Sequence, residues 1–562
     1  MRREVSVVNK KVCSFPILFA LLTLLIGTCA VVFPASAQAA PTSTGSITVS
    51  GTVASSYDAY QIFSANVVDG DSDAKIATDL AWASDAVRDA VLPVLHSAGM
   101  PNSQTTAQEA AEWLNTDSHL TSALSAQLAR SLQSSGAVSV ALNAGTTAEL
   151  PCGYWLIVAD DDVISQNEAG TAPIMVLVGG SAVTVKPKAS TPKVAKHVLE
   201  DGAAAWQKAA DATVADDLYW RLSATVPAGL TAYDTYTVRF VDTMSAGLDP
   251  SKVAASMHVY VAAGAEGGFD AVSAGKDGRA GTEPAKGWAD ITAQCATKVA
   301  ADGTFTVRTG DLIAALGGAD AFTAGARVVA VYNAPLNSAC NHGIAKGNPN
   351  EVYLRYPRSP FADQSGDAGF TRTPSDDACA YTWDLALTKR GSDGDKPLAG
   401  AVLSIADDRG RTLAADGTWD AEGKATVTTG EDGRVTVSGV DSGKLEVREL
   451  KAPKGYTAFE GTRSVTVKAE GLDVDQVAAA KPKLTITAES PLRADSADGS
   501  TGSLEASLIN TPTGTPPSIT TGGFMPSTGD MAMYAAAAAA VAGAALIVVA
   551  LLVKRGGGSH NE

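Results

Sequence analysis

One apolar run constrains this chain more than any other feature. From Met531 to Val553 there is no charged residue, and Ala, Val and Leu dominate. About 20 such residues cross the hydrocarbon core of a bilayer. Lys554 and Arg555 follow and mark the cytoplasmic side, so 531–553 is expected to be a transmembrane helix and 554–562 a cytoplasmic tail. The opposite end has Arg2, Arg3, Lys10 and Lys11, then an apolar stretch from Phe15 to Phe33, then "PASAQAA". That pattern predicts a secretory signal peptide over residues 1–40, cut after Ala37 or just beyond. The body between the two segments is expected to lie outside the cell, tethered at its C-terminal side.

Directly before the span stand Met525, Pro526, Ser527, Thr528 and Gly529. This pentapeptide, with its apolar span and basic tail, resembles the LPXTG-type sorting signal of Gram-positive surface proteins. In that family a sortase cysteine cuts between Thr and Gly and passes the Thr carbonyl to an amine. Met525 stands where Leu is usual, and both side chains are apolar and of similar size. The resemblance implies sortase and peptidoglycan as partners and only a transient stay in the membrane.

Composition excludes several function classes. The formal charge is −17, with a pI near 4.8, which argues against a nucleic-acid partner. With 562 residues, about three domains are expected, and the Val and Thr content favours β structure. The six His are scattered, and there is no His-Glu-x-x-His, Walker loop or Gly-x-Ser-x-Gly. No enzyme activity, cofactor or metal site is expected. Cys13 and Cys29 leave with the signal peptide. Cys152, Cys295, Cys340 and Cys379 remain and allow three pairings. Cys295–Cys340 is favoured because both lie in one predicted domain.

The body reads as short alternating strands bounded by turn signals. Residues 41–188 form a first domain, a β-sandwich with helical insertions, since Ala74 to Ser135 has helical spacing ("IATDLAWASDAVRDAVLPVL", "AQEAAEWLN", "LTSALSAQLARSLQ"). A second domain is expected over 189–360, a Gly/Pro/Asp linker over 361–380 and a third domain over 381–513. A stalk over 514–524 then leads to the sorting motif. The fold class is mainly β: immunoglobulin-like sandwiches in series.

Two of the domains carry family resemblances. The second, through "TPKVAKHV", "VDTMSAGLD" and "GNPNEVYLRY", resembles the isopeptide-forming middle domain of sortase-assembled pilins. The third, through "LTKRGSDGDKPLAGAVLSI", "LEVRELKAPKGY" and "SLINT", resembles the Cna B-type, prealbumin-like domain. Together with the sorting signal, the chain resembles a fimbrial shaft protein. In such domains a Lys on the first strand attacks an Asn amide on the last strand, and a buried acid lies between them. The physics is coherent. Burial removes the lysine's charge and makes it a nucleophile. The same burial keeps the acid protonated, able to polarise the Asn carbonyl. Adjacent strands supply the orientation.

The resemblance implies Lys389, Glu449 and Asn510 in the third domain. In the second it implies Asp242 as the acid. There the nucleophile is Lys196 or Lys193, and Lys196 is preferred because it alternates with Val194. The acceptor is Asn350 or Asn348; Asn350 is nearer the strand "VYLRY", while Asn348-Pro349 reads as a turn. The first domain lacks a first-strand nucleophile, its Lys75 lying in an acidic loop. Polymerised pilins also need an acceptor lysine near the exit of the first domain. Here the corresponding stretch is Val183-Thr184-Val185-Lys186-Pro187-Lys188, with Lys188 as the acceptor and Lys186 in the usual Tyr position. The implied function is a structural subunit of a covalently polymerised pilus, with other pilin subunits and host surface ligands as further partners. The alternative is a monomeric wall-anchored adhesin that uses the same domains as a stalk.

Overall fold

The structure, a computed structural model, describes residues 43–514 apart from 52–53, 72–73, 117, 161–169, 188–190, 201–204, 228–229 and 265–286. The signal segment, the sorting motif Met525–Gly529, the apolar run Met531–Val553 and Lys188 lie outside the described residues. Among the described residues no helix is long and apolar enough to cross a membrane. The chain is mainly β and forms three domains, each built on two sheets.

In the first domain the long strand Ser56–Asp69 pairs with Lys75–Trp82, Val140–Asn143 and Gly153–Ala159. A second sheet sets Thr44–Val49 between Thr147–Pro151 and Val183–Val185. The run "GYWLIVA" is apolar throughout because both of its faces are covered. Trp155 and Ile157 pack between the sheets, whereas Leu156 and Val158 pack under three helices. Those helices are Asp85–Ser97, Ala107–Leu114 and Ser122–Ser135. Ser84, Thr106 and Thr121 cap their first turns through side-chain oxygens. Helical spacing was expected from Ala74 onward, but Lys75–Trp82 is a strand at the sheet edge. Its Lys75 does not sit in an acidic loop. The ammonium donates to Gly179 O and, at 2.7 Å, to Ser181 O.

The middle domain is a two-sheet sandwich. One sheet runs in the order Ala205–Gln207, Val194–Glu200, Tyr219–Thr225, Arg327–Asn333, His258–Ala262, Trp288–Asp290. The other runs Ala209–Asp211, Asp376–Tyr381, Asn348–Pro357, Arg239–Met244, Thr304–Arg308, Ala296–Val299. Trp220, Leu222, Phe240, Val259, Phe305, Tyr332 and Leu354 fill the space between them.

Residues 361–380 do not form a linker. Phe370–Arg372 and Asp376–Tyr381 both pair with Asn348–Pro357, and Asp376–Tyr381 also pairs in parallel with Ala209–Asp211. Cys379 and Tyr381 at its end belong to the apolar core of the third domain, while Ala378 and Ala380 belong to the middle one. One strand thus serves two cores, by the period-2 alternation of side chains.

In the third domain the first strand, Trp383–Gly391, lies between Arg434–Val440 and the last strand, Ser503–Pro512. First and last strands run parallel. The facing sheet has Val402–Ala406, Gly443–Lys451 and Thr462–Glu470 at its centre. The junction with the middle domain is polar and well paired. Asp211, 3% exposed, accepts from Trp383 Nε1 at 2.6 Å and from Ser442 N and Oγ at 2.7 Å each. Asp216 pairs with Arg409 and Arg411.

Two buried lysine, acid and asparagine clusters

Alternation along Val194–Glu200 turns Lys196 and Val198 inward. Lys196, Asp242 and Asn350 are each 0% exposed. Lys196 comes from one sheet, and Asp242 and Asn350 come from neighbouring strands of the other, where Asn350 pairs with Met244. The expected geometry of adjacent strands therefore does not hold here, because Lys196 meets its partners across the sandwich. The Asn350 strand is also not the last of the domain, since Phe370–Arg372 and Asp376–Tyr381 follow it. Lys196 Nζ contacts Asp242 Oδ2 and lies 5.5 and 5.4 Å above the rings of Trp220 and Tyr332.

The alternatives weighed from sequence separate cleanly. Lys193 is exposed. Asn348 is fully buried, but its amide is saturated. Its Nδ2 donates to Asn341 O and Ala380 O, and its Oδ1 accepts from Asn341 N. It clamps a loop and is not the turn residue expected.

Burial dominates the electrostatics of this site. Desolvation brings the Lys196 ammonium down to about 8, against the opposing pull of Asp242. It pushes the Asp242 carboxyl up, against the pull of Lys196. Both directions favour the neutral pair, because a low-dielectric core penalises each charge. Asp242 Oδ1 and Asn350 Oδ1 are buried and without a hydrogen-bond partner.

Tyr332 is the residue that sequence reasoning missed. Its hydroxyl accepts from Lys196 Nζ and from Asn350 Nδ2, each at 2.9 Å, and donates to Asp242 Oδ2 at 3.1 Å. The available signal was a Tyr inside "VVAVYN", a run of core character in which a buried hydroxyl needs a partner.

In the third domain Lys389, Glu449 and Asn510 are 0, 6 and 2% exposed. Here the strands of Lys389 and Asn510 are neighbours, and Glu449 reaches in from the facing sheet. Lys389 Nζ is 3.4 Å from Glu449 Oε1, and Asn510 Nδ2 donates to the same oxygen at 2.8 Å. Glu449 Oε2 is held by Phe459 N at 3.1 Å. Desolvation lowers Lys389 to about 8, opposed by Glu449. Asn510 Oδ1 is buried and unpartnered.

The expected Cys295–Cys340 disulfide is not formed, and Cys152, Cys295, Cys340 and Cys379 are free thiols. Cys295 donates to Ile291 O at 3.3 Å, and Cys340 Sγ lies 3.5 Å from His342 Nε2. Each thiol is turned to a local partner. Among the described residues no group of three or more His, Cys, Asp or Glu is placed to hold a metal ion. Of the acceptor stretch, Lys186 is described and exposed.

Residues 384–481 match the family of SpaA prealbumin-like fold domains. The trypsin-resistant surface T6 protein of Streptococcus pyogenes serotype M6 is 30% identical over 143 residues. That alignment covers 24% of this chain and 24% of the relative, so the chain spans about a quarter of the length of the curated relative it matches. Among solved structures, the T6 backbone pilin of S. pyogenes aligns over 84% of this chain and 98% of its own, at 16% identity and a TM-score of 0.46. The full-length major pilin SpaD of Corynebacterium diphtheriae aligns over 84% and 100%, at 15% identity and a TM-score of 0.40.

Proposed function

We propose, starting from a third domain of the SpaA prealbumin-like family, that this chain is a structural subunit of a covalently polymerised surface pilus. In this reading it is stabilised by two intramolecular Lys–Asn amide bonds. The observation that carries the reading is the recurrence, in two consecutive domains, of one buried chemistry: a lysine, a carboxyl and an asparagine amide. A structural ion pair would not need an uncharged amide as its third member in both places.

The reaction follows from the neutral pair. Uncharged Lys196 Nζ attacks Asn350 Cγ while a carboxyl proton on Asp242 supplies the donor that Asn350 Oδ1 lacks. The tetrahedral intermediate collapses, ammonia leaves and the carboxyl is reprotonated. In the third domain, turning the Asn510 amide over places its carbonyl oxygen, rather than its nitrogen, on Glu449 Oε1. Lys389 is the nucleophile. The fixed scaffold supplies the approach as an intramolecular reaction.

Sortase joins Thr528 of one subunit to Lys188 of the next, with Lys186 as the reserve, and finally to peptidoglycan. The C-terminal helix holds the precursor in the membrane until then. Such head-to-tail contacts do not close, so a fibre results. Adhesion to host surface ligands is the accompanying role.

Two measurements test this. Intact mass should fall by about 17 Da for each bond, the mass of one ammonia released per amide exchange. Asp242→Ala and Glu449→Ala should each abolish one of the two losses. In wall extracts, a ladder of high-mass forms should collapse in Lys188→Ala. Thr528→Ala should lose wall linkage altogether. A single wall-linked band in the parent strain would instead make the protein a monomeric anchored adhesin.

A further inference from the structure

The two clusters differ in what lies between their two nitrogens. In the middle domain a hydroxyl stands between the nitrogen that must lose a proton and the nitrogen that must gain one. Tyr332 Oη is 2.9 Å from Lys196 Nζ and 2.9 Å from Asn350 Nδ2. In the third domain Lys389 Nζ and Asn510 Nδ2 converge instead on Glu449 Oε1. Among the described residues no hydroxyl is hydrogen-bonded to both Lys389 and Asn510.

We propose that Tyr332 is a catalytic proton relay of the middle domain, carrying a proton from the attacking Lys196 nitrogen to the departing Asn350 nitrogen. This rests on the reading of that cluster as an amide-forming site. The steps balance. As the Nζ–Cγ bond forms, a proton passes from Nζ to the phenol oxygen, and the phenol proton, which at rest is donated to Asp242 Oδ2, turns to Nδ2 and passes to it. The Cγ–Nδ2 bond then breaks and ammonia leaves. Tyr332 ends as the phenol it began as, and Asp242 keeps its own proton for the carbonyl oxygen.

Three observations favour this division of labour. The ring is fully buried and held edge-on by Phe305, with centroids 4.8 Å apart, so the hydroxyl does not wander. Burial raises the phenol far above its ordinary range, so it exchanges protons without resting as phenoxide. Asp242 lies on a different strand from Tyr332 and faces it from the opposite sheet. One group can therefore serve the carbonyl oxygen while the other serves the two nitrogens.

The third domain is the internal control. The full-length chain is made by cell-free synthesis with detergent and quenched at intervals. The cross-linked peptides Lys196–Asn350 and Lys389–Asn510 are then quantified in each sample by mass spectrometry. Tyr332→Phe should slow the first bond by about a hundredfold or more, within the range of a lost acid–base group, and leave the second unchanged. In heavy water the ratio of first to second bond should fall for the parent and stay constant for Tyr332→Phe. A merely structural hydroxyl would not produce that difference.

Folding is checked in the Lys196→Ala background, where the bond cannot form. There, adding Tyr332→Phe should still give a folded chain with one cooperative melting transition, although Asn350 Nδ2 loses its acceptor. Loss of that transition, or parental bond formation in Tyr332→Phe, overturns the relay. A parent chain with no Lys196–Asn350 peptide at all overturns the reading of the site itself.

Discussion

Lys389 and Asn510 sit on neighbouring parallel strands, offset by two residues: Lys389 is opposite Leu508, and Asn510 is opposite Gly391. A two-residue offset preserves the face of the sheet, so both side chains point into the same core. Replacing either one, by Lys389→Ala or Asn510→Ala, should restore about 17 Da to the intact mass, one ammonia per bond. It should also lower stability. A tie closing a loop of about 120 residues contributes on the order of 4–5 kcal/mol in the chain-entropy account. Urea unfolding of the two variants against the parent measures this.

Those two variants should also respond differently to pH. In Asn510→Ala the lysine stays a free amine, held near 8 in the fold by desolvation against about 10.4 when unfolded. Between these values the unfolded chain binds the extra proton, so stability rises with pH there. The penalty is present in full below about pH 8. Lys389→Ala has no such group. The difference between their urea midpoints should therefore shift in favour of Asn510→Ala from pH 7 to pH 10. A constant difference would show that Lys389 is not desolvated as described.

A third prediction concerns the junction between the middle and third domains. His342 Nδ1 lies 2.7 Å from Asp384 Oδ1, a charge contact off the line of the N–H. Asp384 and then Cys340 hold the imidazolium up to about 10. A raised folded value contributes stability that is full below the unfolded value of about 6.5 and lost as pH rises towards 10. His342→Gln should remove this alkaline loss, read as a flatter stability profile between pH 6.5 and 10.

The same junction should fail when Asp211 is shortened. Asp211→Ala leaves Trp383 Nε1 and Ser442 N without their acceptor, at a cost of roughly 1–3 kcal/mol for buried groups left unpaired. Asp211→Asn keeps one oxygen and should recover part of the loss. Denaturant midpoints of the three chains decide it.

Period-2 alternation made most strands legible, and it placed Lys196 on the core face before any topology was known. It failed where a strand lacks a buried face. In Lys75–Trp82 only Ala77 is deeply buried, and Ile76 and Leu80 happen to fall at helical spacing. The stretch 361–380 looked like a linker because polar and turn-forming residues dominate it. Its last five residues, Asp376–Ala380, pair because two cores meet there, a tertiary fact with no local pattern. The identities of both clusters were readable from motif order. That Lys196 crosses the sandwich to reach Asp242 was not, because it depends on which sheet each strand joins. Tyr332 was hidden for the same reason.

The parallel pairing of first and last strands in the third domain has a mechanical consequence. In the proposed fibre, tension would enter this domain at Trp383 and leave beyond Asn510. With the proposed Lys389–Asn510 bond in place, the load would cross from one strand to the next after a few residues. The intervening chain is then shunted out of the force path. Those roughly 120 residues would extend to about 400 Å if unravelled. A fibre so built could not draw on that length when stretched, so this domain would behave as an inextensible link, and any give would come from elsewhere along the fibre.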